Sequence, residues 1–224
     1  MLPDPPFDRT RRNADGEGRN PCACHPAASR RYDLQALYER FLRQDPGVCR
    51  SYLLHRGLDG ALVDDLIRTG TVVHNRYRAR SYCCFAVRDR EGVLRCLDNH
   101  AVEDCGKFVL GSRIPFSLEW KELDRAKVVF LAEGIIDYLS VKTLDGTRPA
   151  GLALLGNQLC FDRSLLRQAE VLLSALDDDR AGRCALVNLK QRYPDKRIRL
   201  YDLQGYKDPN ERLMALRAGR DRPA

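Results

Sequence analysis

After Trp120 the chain alternates short apolar runs with amphipathic segments, and this rhythm restricts the possible folds more than any other feature of the sequence. Val128-Val-Phe-Leu-Ala132 is a continuous apolar run, as expected of a parallel strand covered on both faces. Ile135 to Leu144 has helical spacing, and Gly151-Leu-Ala-Leu-Leu155 reads as a second strand. A helix over Asp162 to Ala169, a strand over Val171 to Leu176 and a long helix over Ala181 to Tyr193 follow. Arg197 to Asp202 and Pro209 to Arg217 complete the series as strand and helix. Such alternation predicts an α/β fold, a parallel four-stranded sheet flanked by helices and joined by right-handed crossovers.

The upstream half has another texture. Residues 1–29 are rich in Pro, Gly, Arg and Asp without apolar period, and read as a flexible tail. Leu34, Leu37, Tyr38, Phe41 and Leu42 recur at helical spacing. A second helix covers Val48 to His55 and stops at Gly57, and a third opens at Asp59 and ends near Gly70. Three short β-like runs follow, Thr71 to His74, Tyr82 to Val87 and Val93 to Leu97, with Asp89-Arg-Glu-Gly92 as a hairpin turn. A further strand is expected over Lys107 to Leu110. The division predicted is a tail to residue 29, a small α+β subdomain over 30–122, the alternating α/β domain over 123–217, and a tail over 218–224.

Composition adds limits. A hydrophobic share of 44% supports a packed core, and no apolar run reaches a membrane span. The N-terminus lacks the basic and apolar regions of a secretory signal, so a cytoplasmic protein without membrane contact is expected. There nine cysteines read as buried apolar residues, reactive thiols or metal ligands rather than disulfides. The net charge of +7 is carried mostly by arginine, which suits phosphate but does not by itself identify nucleic acid. No phosphate-binding P-loop is present, which argues against an ATP-driven motor.

Ligands of open α/β sheets bind beyond the carboxyl ends of the strands, and acids collect there. Glu133-Gly134 follows the first strand, with Asp137 one helical turn on. The third strand ends in Asp177-Asp178-Asp179-Arg180. In extended chain Asp177 and Asp179 share a side and Asp178 takes the other. Lys207-Asp208-Pro209-Asn210-Glu211 follows the fourth strand. Clustered carboxylates repel one another unless a cation neutralises them, and oxygen donors without His or Cys select Mg²⁺ or Mn²⁺. An Asp at a strand-to-helix turn is, however, often only a cap. Two other folds with strand-end acids, haloacid dehalogenase phosphatases and receiver domains, place them in a different strand order.

These segments, Val128 to Asp137, Leu176 to Arg183 and Lys207 to Glu211, resemble the Toprim domain of bacterial DnaG-type primases and their relatives on mobile elements. Leu154-Leu-Gly156-Asn157 looks like the turn after that family's second strand. Tyr52 to Leu58, Phe85 to Gly92 and Gly106-Lys107-Phe108 are similar to the subdomain preceding Toprim in the primase core, so the resemblance covers about residues 50–213. It implies that Glu133 is a general acid or base and helps to place metal. It also implies that Asp177 and Asp179 are the main Mg²⁺ ligands, supported by Asp137 and Asp208. Lys107, with Arg56, Arg180 and Lys207, would face nucleotide or nucleic acid. The implied activity is primer synthesis from NTPs on single-stranded DNA, with single-stranded DNA or RNA and a helicase or other replication protein as the partners. Nuclease action by the same acids and a non-catalytic nucleic-acid-binding role are the alternatives. Asp178 stands where primases commonly carry Gly, no second basic residue of the primase core is found, and the helicase-binding region is not represented.

Other residues carry less. Cys22, Cys24 and His25 are similar to part of a zinc ribbon, but their spacing does not make a four-ligand knuckle, so zinc is not expected. Cys83 and Cys84 should face opposite ways along a strand. Tyr52, Tyr82 and Trp120 have the rings for base stacking, although packing is the commoner use. Arg76, Arg78 and Arg80 alternate along an extended segment as a phosphate-tracking face would, or as a solvated edge.

Overall fold

The structure is a computed structural model and describes residues 33–146, 149–156, 159 and 161–219. Cys22, Cys24 and His25 lie outside the described residues.

Three helices lead, α1 (Leu34–Leu42), α2 (Gly47–His55) and α3 (Gly60–Arg68). Asp33 and Asp59 start α1 and α3 by accepting from the Ala36 and Leu62 amides at 2.9 and 3.0 Å, which satisfies N–H groups that a first turn leaves free. An antiparallel sheet follows, β1 (Val72–Tyr77), β2 (Arg80–Arg88), β3 (Leu94–Ala101) and β4 (Lys107–Gly111), paired in chain order. The Asp89–Gly92 turn is present, closed by the Gly92 amide on the Asp89 carbonyl at 3.0 Å.

Side-chain alternation in this sheet feeds two cores. Val73, Cys84, Ala86 and Leu97 meet Tyr38 and Phe41 of α1. Val72, Cys83, Phe85 and Cys96 face the other way, into the central core. Cys83 and Cys84 thus lie on opposite faces, as expected of strand neighbours.

After a short helix, α4 (Trp120–Leu123), the second sheet is parallel, ordered β6-β5-β7-β8, with β5 (Val128–Ala132), β6 (Ala150–Ala153), β7 (Val171–Ala175) and β8 (Arg197–Leu200). Phe130 and Ala132 of β5 join the central core with Ile135, Tyr138 and Leu139 of α5 (Ile135–Asp145) and Leu213 of α7 (Pro209–Arg217). Val129 and Leu131 point the other way, onto Ala185 and Leu189 of α6 (Arg180–Arg192). Both faces of β5 are covered, which is why its sequence is apolar without alternation. One core therefore joins the two sheets, and the cleft between them is where function can reside.

Two expectations fail in instructive ways. Arg78 and Ala79 have φ of 48° and 62° and form the two-residue turn between β1 and β2, so Arg76, Arg78 and Arg80 do not share one extended face. Without the usual Gly or Asn the turn leaves no mark in the sequence. The helix expected over Asp162–Ala169 is a single 3₁₀ turn at Arg163–Leu166, anchored by the buried Leu166 with Leu165 packed against the same core. Tyr82 stacks edge-on against Phe108 and is buried, and Trp120 packs on the second core, so both serve packing.

Candidate active site

The carboxyl end of the parallel sheet faces the antiparallel sheet across a cleft of about 370 Å³. Glu133, Asp137, Asp177, Asp208 and Lys207 line one side; Arg56, Asp98, His100, Lys107 and Arg113 line the other. Each acid arrives by a local rule. Glu133 leaves the end of β5, and Gly134 then begins α5, bringing Asp137 into its first turn. A Cβ on Gly134 would stand 3.1 Å from the Asp137 carboxylate. Asp177 follows β7, and α6 starts so close to it that a Cβ on Gly182 would lie 1.9 Å from the Asp177 carbonyl oxygen. Only glycine permits that approach.

Asp208 caps α7, accepting from the Glu211 amide at 2.7 Å, while Glu211 accepts from the Lys207 amide at 2.6 Å. With Pro209 at the first helical position this is close to a capping box. The Asp178 amide donates to the Lys207 carbonyl at 2.7 Å and ties the two acidic loops together.

The charges explain one another. Lys207 Nζ sits 3.1 Å from Asp177 and 3.7 Å from Asp179, while Asp178 turns outward onto Arg183 at 3.0 Å. Burial raises the Glu133 carboxyl above its ordinary value, and the nearby Asp177 and Asp179 raise it further. Asp177 is also raised, chiefly by burial, against the opposing pull of Lys207. Asp137 is pushed up to about 7 by burial and by the charges of Asp208 and Asp177. Asp179 differs: the Gly182 amide donates to it at 2.9 Å and lowers its carboxyl.

Among the described residues, no three His, Cys, Asp or Glu side chains stand close enough together to clasp one metal ion. The chemistry of the donor set nevertheless suits a hard divalent cation, being oxygen only and short of positive charge, with Lys207 the neighbouring cation. The expected residues divide accordingly. Glu133, Asp137, Asp177, Asp208, Lys107, Arg56 and Lys207 line the cleft together. Asp179 is not on the lining but caps α6 beside Lys207, and Arg180 is exposed on α6 outside the cleft. Sequence reasoning missed Asp98, His100 and Arg113. The polar run Asp98-Asn99-His100 was the available signal, but it reads as a turn when β3 is ended at Leu97.

Residues 130–213 match the family model described as Toprim-like. No curated protein sequence matches the chain. Among solved structures, the primase fragment of the bacteriophage T7 primase-helicase protein aligns with a TM-score of 0.57 at 22% identity, covering 74% of this chain and 68% of that one. The catalytic domain of DnaG primase bound to single-stranded DNA gives 0.58 at 20% identity, with 84% and 74% covered. A DNA primase domain from Pseudomonas aeruginosa gives 0.56 at 21%, with 79% and 72% covered. The shared part includes the antiparallel subdomain as well as the parallel sheet, since the match exceeds the alternating segment alone. The chain carries a Toprim domain, within a fold that resembles the catalytic cores of primases.

Proposed function

We propose that the cleft performs Mg²⁺-dependent nucleotidyl transfer on nucleic acid, extending a primer from NTPs along a single-stranded DNA template. The observation that carries this reading is the opposition of two walls, carboxylates short of countercharge on one and Arg56, Lys107 and Arg113 on the other. A polyphosphate and the divalent ions that accompany it need both. The fold shared with primase cores supports the same reading.

In this scheme Asp177 and Glu133 would hold Mg²⁺, with Asp179, Asp137 and Asp208 in support. Mg²⁺ held there would supply countercharge to phosphate, for a transfer in which a 3′-hydroxyl bonds to the α-phosphorus as the bond to the pyrophosphate leaving group breaks. Glu133, half-buried and with its carboxyl raised above its ordinary value by burial and by Asp177 and Asp179, is suited to accept or return a proton. Arg56 and Lys107 orient phosphate from the opposite wall, and both already act on Asp137 electrostatically across the cleft. Asp179 fixes the start of α6, and hence the Asp177 loop, by its cap.

The test is primer synthesis from labelled NTPs on single-stranded DNA with Mg²⁺, beside Asp177→Ala. Template-dependent products from the wild type and none from the variant are expected. Cleavage of DNA or RNA without NTPs would replace the proposal by a nuclease. Binding unaltered by Mg²⁺ and without turnover would replace it by a non-catalytic role in a replication or mobile-element complex.

A further inference from the structure

Across the cleft from the acids, β3 presents a carboxylate–imidazole pair to which nothing above gives a role. Asp98 Oδ2 and His100 Nε2 are 3.0 Å apart, and both residues are more than nine-tenths buried. Both line the cleft from one face of β3. The Phe85 ring meets the imidazole edge to face, 5.2 Å between centroids, and limits its rotation.

A carboxylate only accepts, so the hydrogen shared by the pair belongs to Nε2. At about pH 8 an ordinary histidine carries one ring hydrogen, and Nδ1 is then a bare acceptor. Here Nδ1 is buried and has no hydrogen-bond partner. Buried polar atoms are nearly always satisfied, so an acceptor left empty on the lining of a cleft points to a donor on the ligand. His74 has an unpartnered Nδ1 as well, but its ring faces Ser81 at 3.1 Å and is not on the cleft lining. Ionised phosphate oxygens also only accept, so Nδ1 cannot serve them. The donors of a nucleotide are the N–H groups of its base and the hydroxyls of its sugar. Base donors change place from one base to the next, and templated synthesis must admit every base; the sugar hydroxyls are common to all NTPs. Position agrees with the sugar. Lys107 stands directly across from His100 in register and acts electrostatically on both Glu133 and Asp137. The imidazole therefore lies one strand inward from the group that faces the phosphates.

We propose that His100 reads the sugar of the incoming nucleotide: its Nδ1 accepts a hydrogen bond from a ribose hydroxyl and so favours NTPs over deoxynucleotides. This rests on the nucleotidyl-transfer reading and names the sugar that the cleft selects. Asp98 is the positioning residue. By holding the ring hydrogen on Nε2 it keeps Nδ1 an acceptor, whereas a hydrogen moved to Nδ1 would turn that atom into a donor. A ribose offers two such hydroxyls, 2′ and 3′, and the experiment separates them.

The experiment is calorimetric titration of the full chain with Mg²⁺ at about pH 8, using ATP, 2′-deoxy-ATP and 3′-deoxy-ATP in separate arms. The wild type should bind ATP about tenfold more tightly than the analogue lacking the hydroxyl that is read, as for one hydrogen bond. The arm that shows the loss identifies that hydroxyl. His100→Gln can still donate to Asp98 but has no acceptor in place of Nδ1. It should bind ATP and that analogue alike, at the affinity the wild type has for the analogue. A residue that only packs would weaken all three nucleotides together, and that outcome overturns the proposal. Circular dichroism and thermal melts establish that the variant is folded. If it is not, nitrogen-15 spectra of the histidine-labelled wild type decide: a bare ring-nitrogen signal must move with ATP and stay in place with the analogue. Equal affinity of the wild type for all three nucleotides, no binding of ATP, or an unchanged preference in folded His100→Gln also overturns the sugar contact. The carboxylate reading is decided separately, by Mg²⁺-dependent turnover and Asp177→Ala.

Discussion

Asp137 ionises against resistance, because it is largely enclosed and faces Asp208 and Asp177. Its carboxyl lies at about 7 in the folded chain, above the ordinary value of 3.8. The folded state therefore holds a proton that the unfolded state has released, and this favours folding below about pH 4 and is lost as pH rises through 7. Asp137→Asn should accordingly stabilise the metal-free protein by roughly 2–4 kcal/mol at pH 8, with the gain fading towards pH 4. Urea unfolding at the two pH values checks it, and an equal effect at both would contradict the assignment. Gly182→Ala should have the opposite sign, since its methyl would run into the Asp177 carbonyl; a loss of about 2–4 kcal/mol in the same assay is expected. At this scale the sequence was partly legible. The alternation of a strand end separates Asp177 and Asp179 from Asp178, and the Lys207 and Arg183 pairings follow that division. Asp98 and His100 were not legible, because burial of a polar pair is set by the sheet across the cleft and not by neighbours along the chain.

Among the elements, α7 has the widest reach. Asn210, buried in its first turn, donates to the Arg56 carbonyl at 2.8 Å and to Ser140 Oγ at 2.9 Å, joining α7 to the end of α2 and to α5. The Arg217 guanidinium adds a bond to the Gly57 carbonyl at 3.1 Å. Asn210→Ala removes both bonds of the amide and leaves the Arg56 carbonyl without that donor. A cost of about 2–3 kcal/mol is expected, read as a lower urea midpoint with unchanged slope. The helices and strands themselves were well marked where a local signal exists, as with the Asp59 cap of α3 and the unbroken apolar run of β5. The β1–β2 turn was not, since Arg78 and Ala79 are held at positive φ by the pairing of flanking strands rather than by their own preference. The helix over Asp162–Ala169 was overcalled because an apolar pair with a good cap is equally served by one 3₁₀ turn.

For the whole molecule, the two walls predict two separable dependences. Binding of single-stranded DNA should weaken with salt, and Lys107→Ala should lower the slope of log affinity against log salt by about 0.7, as for one phosphate contact. Mg²⁺ should raise the melting temperature of the wild type at pH 8 and leave that of Asp177→Asn unchanged, because an ion bound only by the folded state adds stability. Fold class was legible as a whole from the alternation of apolar runs. On the second wall only Arg56 and Lys107 were reached, through the family resemblance, since strand ends can be counted along a sequence but the approach of another sheet cannot. The stitch from Asn210 to Arg56 also bears on biosynthesis. A chain leaving the ribosome holds the basic wall complete long before α7 exists. Until residue 213 has emerged, Leu213 is missing from the core that joins the sheets, and the nascent protein has no closed cleft. Closure of the cleft thus follows the synthesis of α7 and not that of the basic wall.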